Sequence, residues 1–120
     1  METTIAIRKH EERLLRRKQE IAAVLYHLRQ ESAEVTGTRH FDWVDQAWDD
    51  SAARTVDRLT ELYRSELASV EKALHRIRSG TFGSCLACHQ PIEPARLDLF
   101  PQTEFCRECR EFRESFEAAA

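Results

Sequence analysis

Residues 5 to 34 contain neither Gly nor Pro, and Ile7, Leu14, Ile21, Leu28 and Val35 recur every seven residues. Leu15, Ala22, Val24 and Leu25 widen this column into a stripe. A seven-residue apolar repeat keeps one seam of a helix turned toward a partner. The segment is therefore predicted to be a single helix, roughly 45 Å long at 1.5 Å per residue. A break is predicted at Val35-Thr36-Gly37-Thr38-Arg39-His40, where Gly37 and the β-branched threonines suit a turn. A second helix is predicted from about Asp42 to Ser79. Its apolar positions Val56, Leu59, Tyr63, Val70, Ala73 and Ile77 follow three- and four-residue steps, flanked by Leu62, Leu67 and Leu74. Glu66 is the one polar residue in that register. Two helices of similar length joined by a short break fold back antiparallel, each burying the other's seam. Arg13, Arg16, Arg17, Glu20, Arg54, Arg58 and Glu61 lie on the outer faces, where the simplest reading is a solvated surface.

The pattern changes at Ser79-Gly80. Gly80 suits the left-handed position that ends a helix. Beyond it lie all four cysteines and all three prolines of the chain, followed by a short helix predicted from near Cys106 through Glu117. The expected organisation is mainly α: an antiparallel coiled-coil hairpin over 1–79 with its tip near 35–48, then a four-cysteine module with a C-terminal helix over 80–120.

The cysteines form two C-x-x-C pairs, Cys85/Cys88 and Cys106/Cys109, separated by 17 residues. Two intervening residues let a tight knuckle aim both sulfurs at one point. Two knuckles then build the tetrahedral thiolate cage that zinc accepts. A closed shell of four thiolates leaves no position for water, so the ion is expected to be structural, with Cys85, Cys88, Cys106 and Cys109 as ligands. The module needs such help, because its own apolar content is small: Phe82, Leu86, Ile92, Leu97, Leu99, Phe100 and Phe105. A redox dithiol is the competing reading, but the βαβ pattern of a thioredoxin-like site is absent. His89 directly follows the second cysteine and is expected to be exposed or to sit behind the ligands. The scattered His10, His27, His40 and His75 receive no ligand role.

Composition narrows the function classes. The chain is 120 residues with 32% charged residues and a net charge of -3. A protein that coats nucleic acid non-specifically is usually basic, so bulk charge argues against that role. No apolar run approaches the roughly 20 residues that cross a bilayer. The N-terminus lacks the apolar core of a secretion signal, and a cytoplasmic location is expected. Reduced cysteines in that compartment favour metal over disulfides. No nucleophile–base arrangement, phosphate-binding loop or open metal site is present, so an enzyme is not expected.

The start of the second helix, Asp42-Trp43-Val44-Asp45-Gln46-Ala47, places Asp42 and Asp45 on one face. Asp42 suits an N-cap, and Asp45 at the third position completes a box-like pairing. Capping does not explain why Phe41, Trp43, Val44 and Trp48 gather at the end of a hairpin. A projecting apolar and acidic tip is also suited to a partner.

Taken in order, these parts resemble the DksA/TraR zinc-finger transcription regulators. The resemblance rests on the long helical hairpin, the tip Asp42-x-x-Asp45-x-Ala47 and the four-cysteine module after Gly80. The approach Ala73-Leu74-His75-Arg76-Ile77-Arg78-Ser79-Gly80-Thr81-Phe82-Gly83-Ser84-Cys85, the Arg96-Leu97 pair and Pro101 also fit. It covers nearly the whole chain from about Thr4.

The resemblance implies a regulator that binds RNA polymerase rather than DNA. Its coiled coil would enter the secondary channel, with Asp42, Asp45 and Ala47 acting as effectors near the catalytic centre. Family members that bind the alarmone ppGpp use basic residues. In an ungapped match from the cysteines, two of those positions become Ser69 and Phe100, and Arg110 keeps the third charge. A weak response to ppGpp, or none, is therefore expected. Two alternatives stay open at this stage. One is a zinc-ribbon nucleic-acid binder using Arg8, Lys9, Arg13, Arg16, Arg17 and Lys18. The other is a thiol redox sensor that releases zinc on oxidation.

Overall fold

The computed structural model describes residues 4–37 and 43–119, with side chains described over 4–31 and 50–117. It is mainly helical: α1 spans Thr4–Gly37, α2 Trp43–Ser79, α3 Pro94–Leu99 and α4 Arg107–Ala119. The two long helices and the final short one are those expected from the periodicity. α1 runs further than predicted, so Val35, Thr36 and Gly37 belong to its last turn and not to the break. Thr38, Arg39 and His40 lie outside the described residues.

The chain forms two compact units, one of Met1–Arg16 with Ser69–Ala120 and the other of Arg17–Ala68. Chain order and compactness thus differ. The first unit is assembled from both ends of the sequence, whereas the boundary expected near residue 79 follows the chain.

In the unit Arg17–Ala68 the helices run antiparallel as a coiled-coil hairpin. Ile21, Leu28 and Val56 are buried along the seam, with Val24, Leu25 and Tyr63 half-buried beside it. The stripe is narrower than the sequence suggested, since Ala22 is exposed and Leu62 is 61% exposed. Glu66, the polar exception in the heptad column, is answered across the seam by Arg17. The Arg17 guanidinium donates from Nη2 to Glu66 Oε1 at 2.7 Å and from Nε to Oε2, and Nη1 also reaches Glu20 Oε2 at 3.1 Å. This fork-to-fork geometry is the strong form of an Arg–carboxylate pair. The Arg17 hydrogen bond holds the Glu66 carboxyl below its ordinary value despite partial burial.

In the other unit the core is Leu14, Val70, Ala73, Leu74, Phe82, Ile92 and Leu97, all buried. α2 stops in a Schellman arrangement: Thr81 N–H donates to Arg76 O at 2.9 Å and Gly80 N–H to Ile77 O at 3.3 Å, with Gly80 at φ 77°. α3 was not anticipated. Pro94 sits at its first turn, where a missing N–H costs nothing, and Glu93 O accepts from the N–H groups of Arg96 and Leu97. The helix carries Leu97 into the core. His10, assigned no ligand role, is buried at 3% exposure against the Phe82 ring, with ring centroids 5.5 Å apart. Among the described residues, no helix is long and apolar enough to cross a membrane.

Candidate metal centre

Two backbone turns present the cysteines. In the first, Cys85 N–H donates to Gln90 O and His89 N–H to Cys85 O, both at 2.9 Å. An antiparallel bridge between Ser84 and Pro91, with Ile92 N–H on Gly83 O at 2.7 Å, closes the base of the turn. His89 completes it at φ 62°, a left-handed conformation that few non-glycine residues adopt. Its imidazole is exposed and is not among the clustered metal-ligating groups. In the second turn, Cys106 immediately precedes α4 and Cys109 lies in that helix's first turn, with Arg110 N–H donating to Cys106 O at 3.0 Å. A helix N-terminus presents free N–H groups and favours negative charge, which suits thiolates. Leu86 N–H donates to Glu104 O at 2.9 Å and ties the two turns together.

The result is one cluster. The Sγ atoms of Cys85, Cys88, Cys106 and Cys109 all lie within 4.8 Å of one another. Cys88 Sγ and Cys106 Sγ are 3.8 Å apart, and no cysteine is in a disulfide. Four sulfurs placed tetrahedrally at about 2.3 Å from a common centre stand roughly 3.8 Å from one another, so the spacing is that of a zinc cage. An S–S bond would need about 2.05 Å.

The electrostatics agree with a cation site. Burial alone would raise the Cys85 thiol, but backbone N–H groups of Cys106, Cys88 and Ala87 converge on it and hold it at about 6. Cys109 is pushed up to about 12, first by hydrogen bonding with Cys106 and Cys85 and then by burial. Four thiols in so small a volume cannot all ionise unaided, and a divalent ion supplies the missing charge. The donor set therefore fits one structural zinc ion, with all four coordination positions taken by protein. Such an ion cross-links the turns and offers no open position for catalysis.

The sequence missed what steadies the second turn. The run Gln102–Phe105 leads directly into Cys106 and is gripped from two sides. Arg76 of α2 is buried at 7% exposure and donates from Nη2 to Gln102 O at 3.2 Å and Thr103 O at 3.3 Å. Arg96 of α3 donates from Nε to Phe105 O at 3.1 Å, and Thr103 Oγ1 donates to the same carbonyl at 3.0 Å. The available signal for Arg76 was a lone cation inside the apolar run Ala73, Leu74 and Ile77.

The expected tip residues are placed only in part. Asp42 lies outside the described residues. Asp45 and Ala47 fall in the first turns of α2, and their side chains are outside those described. Ser69, Phe100 and Arg110 do come together, lining a cavity of about 330 Å³ with Arg113, Glu104, Glu114 and Glu117 among its other walls.

Comparison with known proteins converges on these features. A family model described as the prokaryotic dksA/traR C4-type zinc finger matches residues 80–115. An uncharacterized protein of Aquifex aeolicus (strain VF5) is 31% identical over 70 residues, which is 58% of this chain and 48% of that protein. The chain thus aligns with about half the length of that relative. The structure of transcription factor DksA2 from Pseudomonas aeruginosa superposes with a TM-score of 0.85 at 28% identity, covering 96% of this chain and 88% of that one. With the cysteine cage, the finger match and the shared fold together, residues 80–115 are a zinc finger of the DksA/TraR C4 type, carried on a fold like that of transcription factor DksA2.

Proposed function

We propose that this protein is a DksA-type transcription factor, not an enzyme, that binds RNA polymerase and modulates initiation through the tip of its helical hairpin. The observation that carries the proposal is the likeness to transcription factor DksA2 over 96% of the chain. Zinc held by Cys85, Cys88, Cys106 and Cys109 is a scaffold in this reading. The acting groups are Asp42, Asp45 and Ala47. The two carboxylates offer acceptors to basic or polar groups of the polymerase, and the small Ala47 permits close approach.

The Ser69, Phe100 and Arg110 cavity bears on ppGpp. Arg110 donates to Glu114 at 2.9 Å, and Arg113 stacks 4.5 Å above the Phe105 ring. Glu104, Glu114 and Glu117 also line the cavity, so a polyanion would meet carboxylates where it needs cations. The proposal therefore includes a weak response to ppGpp or none. The phosphate track suggested for α1 is partly engaged already, since Arg13 donates to Asp98 O and Arg17 is committed to Glu66 and Glu20. This disfavours the nucleic-acid reading.

The test is a pull-down with purified core polymerase together with transcription in vitro, comparing wild type with Asp45→Asn. The expected outcome is binding by both and a promoter effect from wild type alone. Failure of both to bind would sink the proposal, and strong synergy with ppGpp would remove its last part.

A further inference from the structure

The arginines of the zinc-finger region fall into two groups. Those of α4 are answered locally: Arg107 donates to Glu111 at 3.1 Å, Arg110 to Glu114 at 2.9 Å, and Arg113 lies over Phe105. Arg76 and Arg96 are different. Their hydrogen-bond acceptors are neutral backbone carbonyls, those of Gln102, Thr103 and Phe105. Arg76 is buried, and Glu104 reaches it only through space. Arg96 Nη2 is buried without an acceptor. A buried guanidinium and a half-buried one are thus set against the same four residues, those that deliver Cys106 to the cluster. A buried cation is costly unless a negative charge balances it. For Arg76 the nearby negative charge is Glu104, a residue of that same run.

We propose that Arg76 and Arg96 are positioning residues of the tetrathiolate centre, which fix the approach to Cys106 and so raise the finger's affinity for zinc. They touch carbonyls and not the metal, so they act through the strap Gln102–Phe105. The proposal rests on the zinc reading of the four cysteines. It extends that reading by assigning part of the metal affinity to residues on α2 and α3. Partners beyond the ligands commonly change metal affinity ten- to a hundredfold when removed.

The test is a competition titration of the full-length chain against a chromophoric zinc chelator, for wild type, Arg76→Gln, Arg96→Gln, Arg76→Lys and Arg96→Lys. Cobalt substitution provides a spectrum of the ligand set. The expected result is one zinc per wild-type chain, with affinity lowered about ten- to a hundredfold in each Gln variant. The Lys variants should stay within about threefold of wild type, and the tetrahedral thiolate–cobalt spectrum should be unchanged in all. Gln variants that bind as wild type would overturn the proposal, and so would Lys variants that lose as much as Gln, since a long donor reaching the strap would then not matter. If a Gln variant does not fold with zinc, the Lys variants decide on the same threefold criterion. A wild-type chain that takes up no zinc would instead overturn the metal reading itself, a separate outcome.

Discussion

Gly80 and His89 show how backbone conformation at single residues positions the metal centre. Both occupy the left-handed region, at φ 77° and 62°. A Cβ at Gly80 would meet nothing within 4 Å, so Gly80→Ala isolates the conformational cost from any clash. It should destabilise the chain by about 1 kcal/mol, read by urea unfolding of the zinc-bound protein. At His89 the strain is already present, so His89→Gly should be neutral or stabilising. His89→Val should cost about 1–2 kcal/mol, because a β-branched residue resists that conformation. Gly80 was legible in the sequence because a glycine closing a periodic helix has a single common use. His89 was read as exposed or sitting behind the ligands, and it is exposed. Its backbone role was hidden because histidine carries no sequence signature for a left-handed turn. The four cysteines were fully legible, since their chemistry and spacing leave few alternatives. Arg76 and Arg96 were not, because long cationic side chains are usually on the surface and only tertiary packing turns these inward.

At the scale of elements, the heptad of α1 and the three-four pattern of α2 located both long helices because periodicity reports the buried face directly. The pattern overstated the width of that face. Leu15 and Leu62 are 41% and 61% exposed, since a two-helix seam covers less of each helix than a larger bundle does. α3 escaped notice because six residues are too few to show a period. Its only cue was Pro94 after Glu93. Glu66 read as an interruption of the seam, and the structure makes it a cross-helix partner of Arg17. This pair gives a pH prediction. Glu66 has a folded pKa below its ordinary 4.5, so its contribution is complete above that value and is lost as pH falls through the folded one. Arg17 is 38% exposed, so solvent screening keeps the contribution below about 1 kcal/mol. Urea unfolding of wild type and Glu66→Gln from about pH 7 to about pH 3 should show a stability gap that closes on acidification. A gap independent of pH would mean that packing, not charge, distinguishes the two.

At the scale of the molecule, the four-cysteine region depends on its metal. Of the seven apolar residues the sequence offered there, only Phe82, Ile92 and Leu97 are buried, and Leu99 is 84% exposed. So small a core cannot order the two cysteine turns, whereas a structural zinc supplies roughly 10 kcal/mol or more. Chelation should therefore abolish the near-ultraviolet signal of the finger and expose all four thiols to a thiol reagent. Far-ultraviolet helicity should fall only in part, because the seam around Ile21, Leu28 and Val56 lies in the other compact unit. Complete loss of helicity on chelation would show that the hairpin has no stability of its own. The division of the chain into units also dictates an order of assembly on the ribosome. Segments fold as they emerge, N-terminal parts first. The unit Arg17–Ala68 is contiguous and can close as soon as its second helix has been made. The unit that joins Met1–Arg16 to Ser69–Ala120 must wait until Cys109 has been synthesised. Until Val70, Ala73 and Leu74 have emerged, Leu14 lacks the core residues that the second stretch of its unit supplies, which leaves that part of α1 open to proteases and chaperones.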